Sequence, residues 1–490
     1  MGFQLFSPNN NPTPKDTPAA TDNTFSYLQA VADKHHFSFF EQSTIYHRNE
    51  HNTPPCLIFD PNRGLYLFDN VEWDYKQLEN ATVSPALDPN TAHDVNVDRS
   101  NAFISRKFDA VLHHGASPII NFLQMNRLKQ AEFESLDSSF HQLLPRSRLI
   151  FSDDTAEMIE DKLAEALSLQ EEPFESATIL GALFFQYAIL PDTSDDQTVV
   201  LNDEQRHYID TALTNRTLLH GTYGSGKSAL LLLKAITLKL ENPAKNVLIL
   251  EPSLAACEFM QQRLLKITEF AMLNLDPLSI EIMTPEQFIT KNHAVDHLFC
   301  DDAHLLSKNM IEHLERLQSR HALHFASVDE HTTAYKPIAL QTSYRCPERI
   351  NCYCNGEEPD RSDGTLHLEN GNSYIYVLHL LPKLLKESRE DQILIAVPDW
   401  EFAEKLKEEI EGFLPITATM FNAQNHILYQ NIDQLIITPI EHTNGLHRDY
   451  TIVITDGREN KSPWVCHALG RADKRAYLIT DNEINKEKTE

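Results

Sequence analysis

The stretch Gly221-Thr222-Tyr223-Gly224-Ser225-Gly226-Lys227-Ser228 constrains this chain more than any other. It matches G-x-x-x-x-G-K-[ST] at every fixed position. Thr217-Leu218-Leu219-His220 before it reads as a strand end, and the apolar run from Ala229 to Ile236 after it reads as a buried helix. A strand, a glycine-bearing loop and a helix in that order turn backbone N–H groups toward one point, where the helix N-terminus adds positive potential. Such a loop suits phosphate. Gly221, Thr222, Gly224, Ser225 and Gly226 would wrap it, Lys227 would reach the β- and γ-phosphates, and Ser228 would ligate Mg²⁺. The expected ligand is a nucleoside triphosphate, ATP with Mg²⁺, on an α/β sheet.

At 490 residues the chain has room for about three domains. Charged residues at 23% and hydrophobic residues at 41% describe an ordinary globular protein. The 71 acidic against 42 basic residues give a net charge of −29, a field that repels nucleic acid and acidic membranes. Any nucleic-acid contact must therefore come from a local basic groove. Seven cysteines without a regular framework point to a reducing compartment. Cys346, Cys352 and Cys354 cluster, but no second pair follows to complete a zinc set. Pro, Asn and Asp interrupt the N-terminal residues, which argues against a signal peptide, and no apolar run is long enough to span a bilayer. A cytoplasmic protein with no membrane partner is expected.

In chain order, residues 1–22 are rich in Pro, Asn, Thr and Asp and read as a disordered tail. Phe25 opens a helix. Cys56 to Asp69 reads as a hairpin about the turn Asp60-Pro61-Asn62-Arg63-Gly64. The stretch from Ile119 to Leu143 reads as helical, and Ser147 to Ser152 as a strand. Residues 23–170 then form an α/β domain, and 171–200 a linker with a helical patch and the polar run from Pro191 to Asp196. Asn202 or Asp203 is placed to cap the helix that follows. Two α/β units complete the chain, 201–336 with the phosphate loop and 337–490. Val247 to Leu250, Leu298 to Cys300, Gln392 to Val397, Leu435 to Thr438 and Tyr450 to Thr455 read as their strands.

The hairpin resembles the nuclease-related domain, a relative of the restriction-endonuclease fold. There a strand bearing Asp leads through a Gly turn to a strand bearing Glu-x-Lys, and the acids hold a metal. In this chain Asp69 stands at the Glu position, Val71 at the Lys position and Pro55 near the first Asp. Ser117 to Arg127 is similar to the family's Pro-x-x-Gln helix. The resemblance implies a smaller nuclease-like domain whose catalytic acids are lost.

From Leu201 to about residue 480 the chain resembles the UvrD/Rep-like branch of superfamily 1 helicases, which implies two RecA-like domains. Gln205, upstream of the phosphate loop, is similar to the adenine-reading Gln of that family, and Val247 to Ala256 to its motif Ia, where single-stranded DNA is touched. Asp301 and Asp302 end an apolar strand in Walker B form. Asp301 would hold Mg²⁺ through water and Asp302 would orient the attacking water, although the family usually has Asp-Glu-x-Gln and here His304 replaces the Gln. Asp329 is kept in the place of motif III, while Val328 and Thr332 depart from it. Leu340 to Cys346 is similar to motif IV, which implies that Tyr344 stacks on the base and Arg345 reaches the γ-phosphate. Asn444-Gly445-Leu446-His447 replaces the usual Lys-Gly-Leu-Glu of motif V. His467 to Ala472 is similar to motif VI, with Arg471 as the second γ-phosphate arginine and Gly470 where Thr is usual.

Residues that handle ATP are kept and those that couple it to DNA have drifted. The intervals from Ser228 to Asp301 and from Arg345 to Thr438 leave no room for accessory insertion domains. Three readings stay open: an ATP-driven motor on nucleic acid, with single-stranded DNA the first candidate; an ATP-gated subunit controlling a protein partner; and an active nuclease–helicase.

Overall fold

The computed structural model describes residues 3–6, 25–85, 93–111, 118–190, 198–213, 216–291, 295–318, 322–328, 335–357, 364–424, 432–458 and 460–481. It divides into two compact units, Met1–Val200 with Ile267–Asn274, and Leu201–Lys266 with Leu275–Glu490.

The first unit is built on a five-stranded sheet in the order Ser38–Glu41, Cys56–Asp60, Gly64–Val71, Ile119–Met125, Leu149–Phe151. The expected hairpin forms, with Cys56 opposite Phe68 and Asp60 opposite Gly64. Its turn is held by Asp60, whose Oδ1 accepts from Asn62 N at 2.8 Å, and by Gly64 at φ 138°. Tyr66 and Phe68 point from one face of the second strand into a core shared with Leu28, Val31, Phe122 and Leu163.

Four expectations change here. Ile119–Met125 is a strand, parallel to Gly64–Val71, and helix in that window is confined to Gln130–Glu134 and Ser138–Leu143. A parallel pair needs a crossover, and His93–Val111 is the longer of the two helices described between these strands in sequence. The resemblance of Ser117 to Arg127 to a helix fails with it. Residues 171–200 are no free linker: helix Ser176–Leu183 and the turn after it bury Ile179, Leu180, Leu183, Phe184 and Phe185, and Phe184 stacks on Phe40 at 4.4 Å. A linker would leave that apolar surface in water. The polar run 191–196 lies outside the described residues. Within the tail expected to be disordered, Phe3–Phe6 pairs antiparallel with Thr82–Pro85. Finally, Lys336–Leu340 is the edge strand of the phosphate-loop sheet, paired with Arg216–Gly221, so the second lobe starts after Leu340 rather than at 337.

The second unit holds two six-stranded sheets, each wholly parallel. The first runs Ile280–Met283, Val247–Leu250, His297–Cys300, Ala322–Ser327, Arg216–Gly221, Lys336–Leu340. The second runs Leu366–Asn370, Ala472–Thr480, Arg448–Thr455, Ile393–Val397, Leu435–Pro439, Ala418–Met420. Strands such as Val247–Leu250, His297–Cys300 and Ile393–Val397 are buried at every position, as parallel strands covered by helices on both faces must be. The expected α/β class with parallel sheets flanked by helices is what the chain adopts. The lobes pack closely: Tyr223 of the first shares a core with Cys346, Ile350 and Val465, and Ala255 shares one with Leu394, Phe421 and Leu446. Among the described residues no helix is long and apolar enough to cross a membrane.

Candidate functional site

The loop from Gly221 to Gly226 joins a buried strand to the helix Lys227–Glu241. Gly224 and Gly226 take φ 78° and 89°, which a side chain would resist, and so bend the chain into the helix. The first helical amide bond runs from Leu230 N to Gly226 O, so the amides of Lys227 to Ala229 belong to the turn that a helix cannot satisfy internally. These amides, the Lys227 ammonium and the helix N-terminus fit a phosphate group. The Lys227 Nζ donates to the carbonyls of Gly221 (2.9 Å) and Thr222 (2.8 Å), and burial lowers its pKa to about 8 against the pull of Asp302 and Asp301. Ser228 hydrogen-bonds the Asp301 carboxylate, which burial and Asp302 raise to about 6. A hydroxyl and a carboxylate meeting at the helix start are the donor set that would hold Mg²⁺.

Asp302 follows Asp301 in the left-handed region, at φ 43°. Its Oδ2 lies 3.3 Å from an Arg471 nitrogen, an ion pair that joins the two lobes. Burial works against ionisation of Asp302, yet the neighbouring charges prevail and hold it well below the usual carboxylate range. His467 is buried and beside Arg471, which keeps its pKa well below 6.5, so the cations that hold Asp302 ionised are Arg471 and then Lys227. Asp302, His304 and His467 place ligand atoms within 4.8 Å of one another, the one such grouping among the described residues. Arg471 already occupies it, lying 3.0 Å from His467 Nδ1 as well as on Asp302. The positive charge there is a guanidinium.

Gln205 sits with the phosphate loop rather than free to read a base. Its side chain closes a capping box with Asn202 and its Nε2 donates to Ser225 O at 3.0 Å. Tyr344 is 47% exposed and its hydroxyl bonds Asn202, so an open aromatic face stands beside the helix carrying Gln205. Arg345 pairs with Asp473 at 3.3 Å and donates to Gly470 O at 3.4 Å, and Asp473 also meets His447 at 3.2 Å. His447, expected in motif V, and Arg345, expected in motif IV, thus share Asp473. Asp329 and Thr332 lie outside the described residues.

Residues that sequence reading passed over complete the site. Tyr223, an unconstrained position of the loop motif, is buried against Gly470, His304 and His467. Asn351 accepts from Tyr223 N (3.0 Å) and donates to Tyr223 O (3.3 Å), while Ser343 Oγ donates to that same carbonyl at 2.8 Å. His467 could have been found, standing one helical turn before Arg471; Asn351 carries no local signal. Glu251, at the end of an apolar run, offers one: a charged residue where a buried strand meets its loop.

No family model matches the chain, and no curated protein matches it in sequence. Similar solved structures include a DEAD-box helicase, Mss116, bound to ssRNA and UDP-BeF, at 14% identity and TM-score 0.43, over 57% of this chain and 70% of that one. Another is the DUF1998 helicase MrfA bound to DNA, at 12% identity and TM-score 0.40, over 59% of this chain and 49% of that one. At this level neither neighbour bears on the chemistry of the chain, which rests on its own residues.

Proposed function

We propose that this protein is a superfamily 1 helicase-like ATPase that binds ATP with Mg²⁺ between its two lobes and acts on nucleic acid, single-stranded DNA first. The observation that carries the reading is the assembly of Lys227, the Ser228–Asp301 pair and the Asp302–Arg471 pair in one buried place, drawn from both lobes. Lys227 would compensate phosphate charge and Ser228 with Asp301 would hold the cation, which when bound neutralises charge developing on the phosphate oxygens. Tyr344 would stack on the base, and Arg471 would reach the γ-phosphate while held by Asp302. The seven free cysteines agree with a cytoplasmic setting.

One observation favours the second reading, an ATP-gated subunit that controls a protein partner. Ser253, Ala255 and Ala256 of the motif expected to touch DNA are buried, and Ala255 N donates to Ala423 O of the other lobe at 2.8 Å. Asp69 Oδ1 accepts from Asn70 N at 2.8 Å and Val71, at the position of the nuclease Lys, is buried, which does not favour the third reading, an active nuclease–helicase.

Turnover of ATP with and without single-stranded DNA, double-stranded DNA and RNA at low salt decides between motor and switch. Stimulation by single-stranded DNA is expected; unchanged turnover with no detectable binding would leave the switch. Lys227→Ala should abolish nucleotide binding, and a folded Lys227→Ala protein with normal turnover would remove the site assigned here.

A further inference from the structure

Asp302, the carboxylate expected to orient the attacking water, is committed elsewhere. Its pairing with Arg471 makes it a poor proton acceptor. A second carboxyl stands at the same edge of the sheet. Glu251 directly follows Val247–Leu250, the strand beside the Walker B strand; Leu250 lies opposite Cys300, and Asp301 N donates to Leu250 O at 3.0 Å. Glu251 and Asp301 therefore emerge side by side at the carboxyl ends of adjacent parallel strands, where open α/β sheets bind their ligands. Glu251 is 4% exposed, its own N–H donates to Met283 O at 3.0 Å, and its Oε1 is buried with no hydrogen-bond partner among the described residues. A buried carboxylate oxygen left unpaired beside two other acids calls for a use.

We propose that Glu251 accepts the proton of the water that attacks the γ-phosphorus, leaving Asp302 to anchor Arg471. The assignment rests on the ATPase reading above. In that step the water oxygen bonds to phosphorus, the bond from phosphorus to the β–γ bridging oxygen breaks, and its electron pair leaves with the nucleoside diphosphate. One water proton passes to the Glu251 carboxylate and from there to solvent. Burial first, and then Asp301 and Asp302, push the Glu251 carboxyl well above the usual carboxylate range, which favours its taking up a proton.

The test uses the full-length chain with Glu251→Gln, a neutral side chain of the same shape. Turnover should fall by about 100-fold or more, while affinity for a fluorescent ATP analogue and the unfolding temperature hold. Glu251→Asp should recover part of the rate with a displaced pH profile, which a merely structural role would not move. Turnover near wild type in Glu251→Gln, or a loss matched by equal loss of nucleotide affinity, overturns the assignment. A wild-type chain that neither binds nor hydrolyses ATP ends the ATPase reading and this one with it. An active wild type with an equally active Glu251→Gln ends this one alone.

Discussion

Tyr223 and Gly470 come from different lobes and fit each other. A Cβ on Gly470 would stand 2.7 Å from Tyr223 Cγ and 2.8 Å from Cδ1, closer than any packed carbon tolerates. The ring also meets the edges of His304 and His467, with centroids 5.9 and 6.2 Å away. A bulky residue in the loop and the bare backbone of Gly470 are thus two halves of one contact. Gly470→Thr should destabilise the second unit by about 1–3 kcal/mol through overpacking, read by urea unfolding. Tyr223→Ala in the same chain should restore most of that loss, because the coupled pair is non-additive. Simple additivity in the double variant would show that the ring is not held against position 470.

Within the first parallel sheet, His297 and His324 meet on neighbouring strands. His297 Nδ1 and His324 Nε2 are 3.2 Å apart, and Lys245 Nζ lies 3.1 Å from His297 Nε2. Burial, then Lys245, lowers His297 to about 4; burial, then His297, lowers His324 to about 3. Both folded values lie below the ordinary 6.5, so below that pH the unfolded chain binds more protons than the folded one. Stability should therefore fall as pH drops from 6.5 toward 4, by about 2 kcal/mol or more for the pair between pH 7 and pH 5. Urea unfolding across that range measures it, and a flat profile would contradict the burial of these rings. The same sheets show why strand and helix were legible to different degrees. Val247–Leu250 and Ile393–Val397 are short apolar runs bounded by loop residues, a plain signal for covered parallel strands. Ile119–Met125 carries Asn121 and Gln124 among its apolar residues and flows into two short helices, so its period is ambiguous until Gly64–Val71 is beside it.

Over the whole molecule the division into two units, each with its own buried clusters, sets how the chain should unfold. A chain of 490 residues organised this way is not expected to unfold in one step. Calorimetry should resolve more than one transition. ATP at about 100 times its dissociation constant should stabilise the second unit by about 2.7 kcal/mol and leave the transition of the first in place. A shift of both together, or of neither, would place the nucleotide elsewhere or nowhere.

The loop from Gly221 to Ser228 was legible because its chemistry is local: glycines, a lysine and a hydroxyl in fixed order bend and charge one short segment. Hydrophobic runs of strand length likewise specified two parallel α/β units without help from afar. What Asp302 does was not local. Its role depends on Arg471, brought to 3.3 Å from the other end of the unit, and under the proposal above that pairing makes an anchor of the carboxylate expected to orient the attacking water. Glu251 became a candidate base for the same reason: only strand pairing sets it beside Asp301, and only packing buries its oxygen. Tertiary structure decided these roles because proton affinity follows burial and neighbouring charge, and neither is written in the order of residues along the chain.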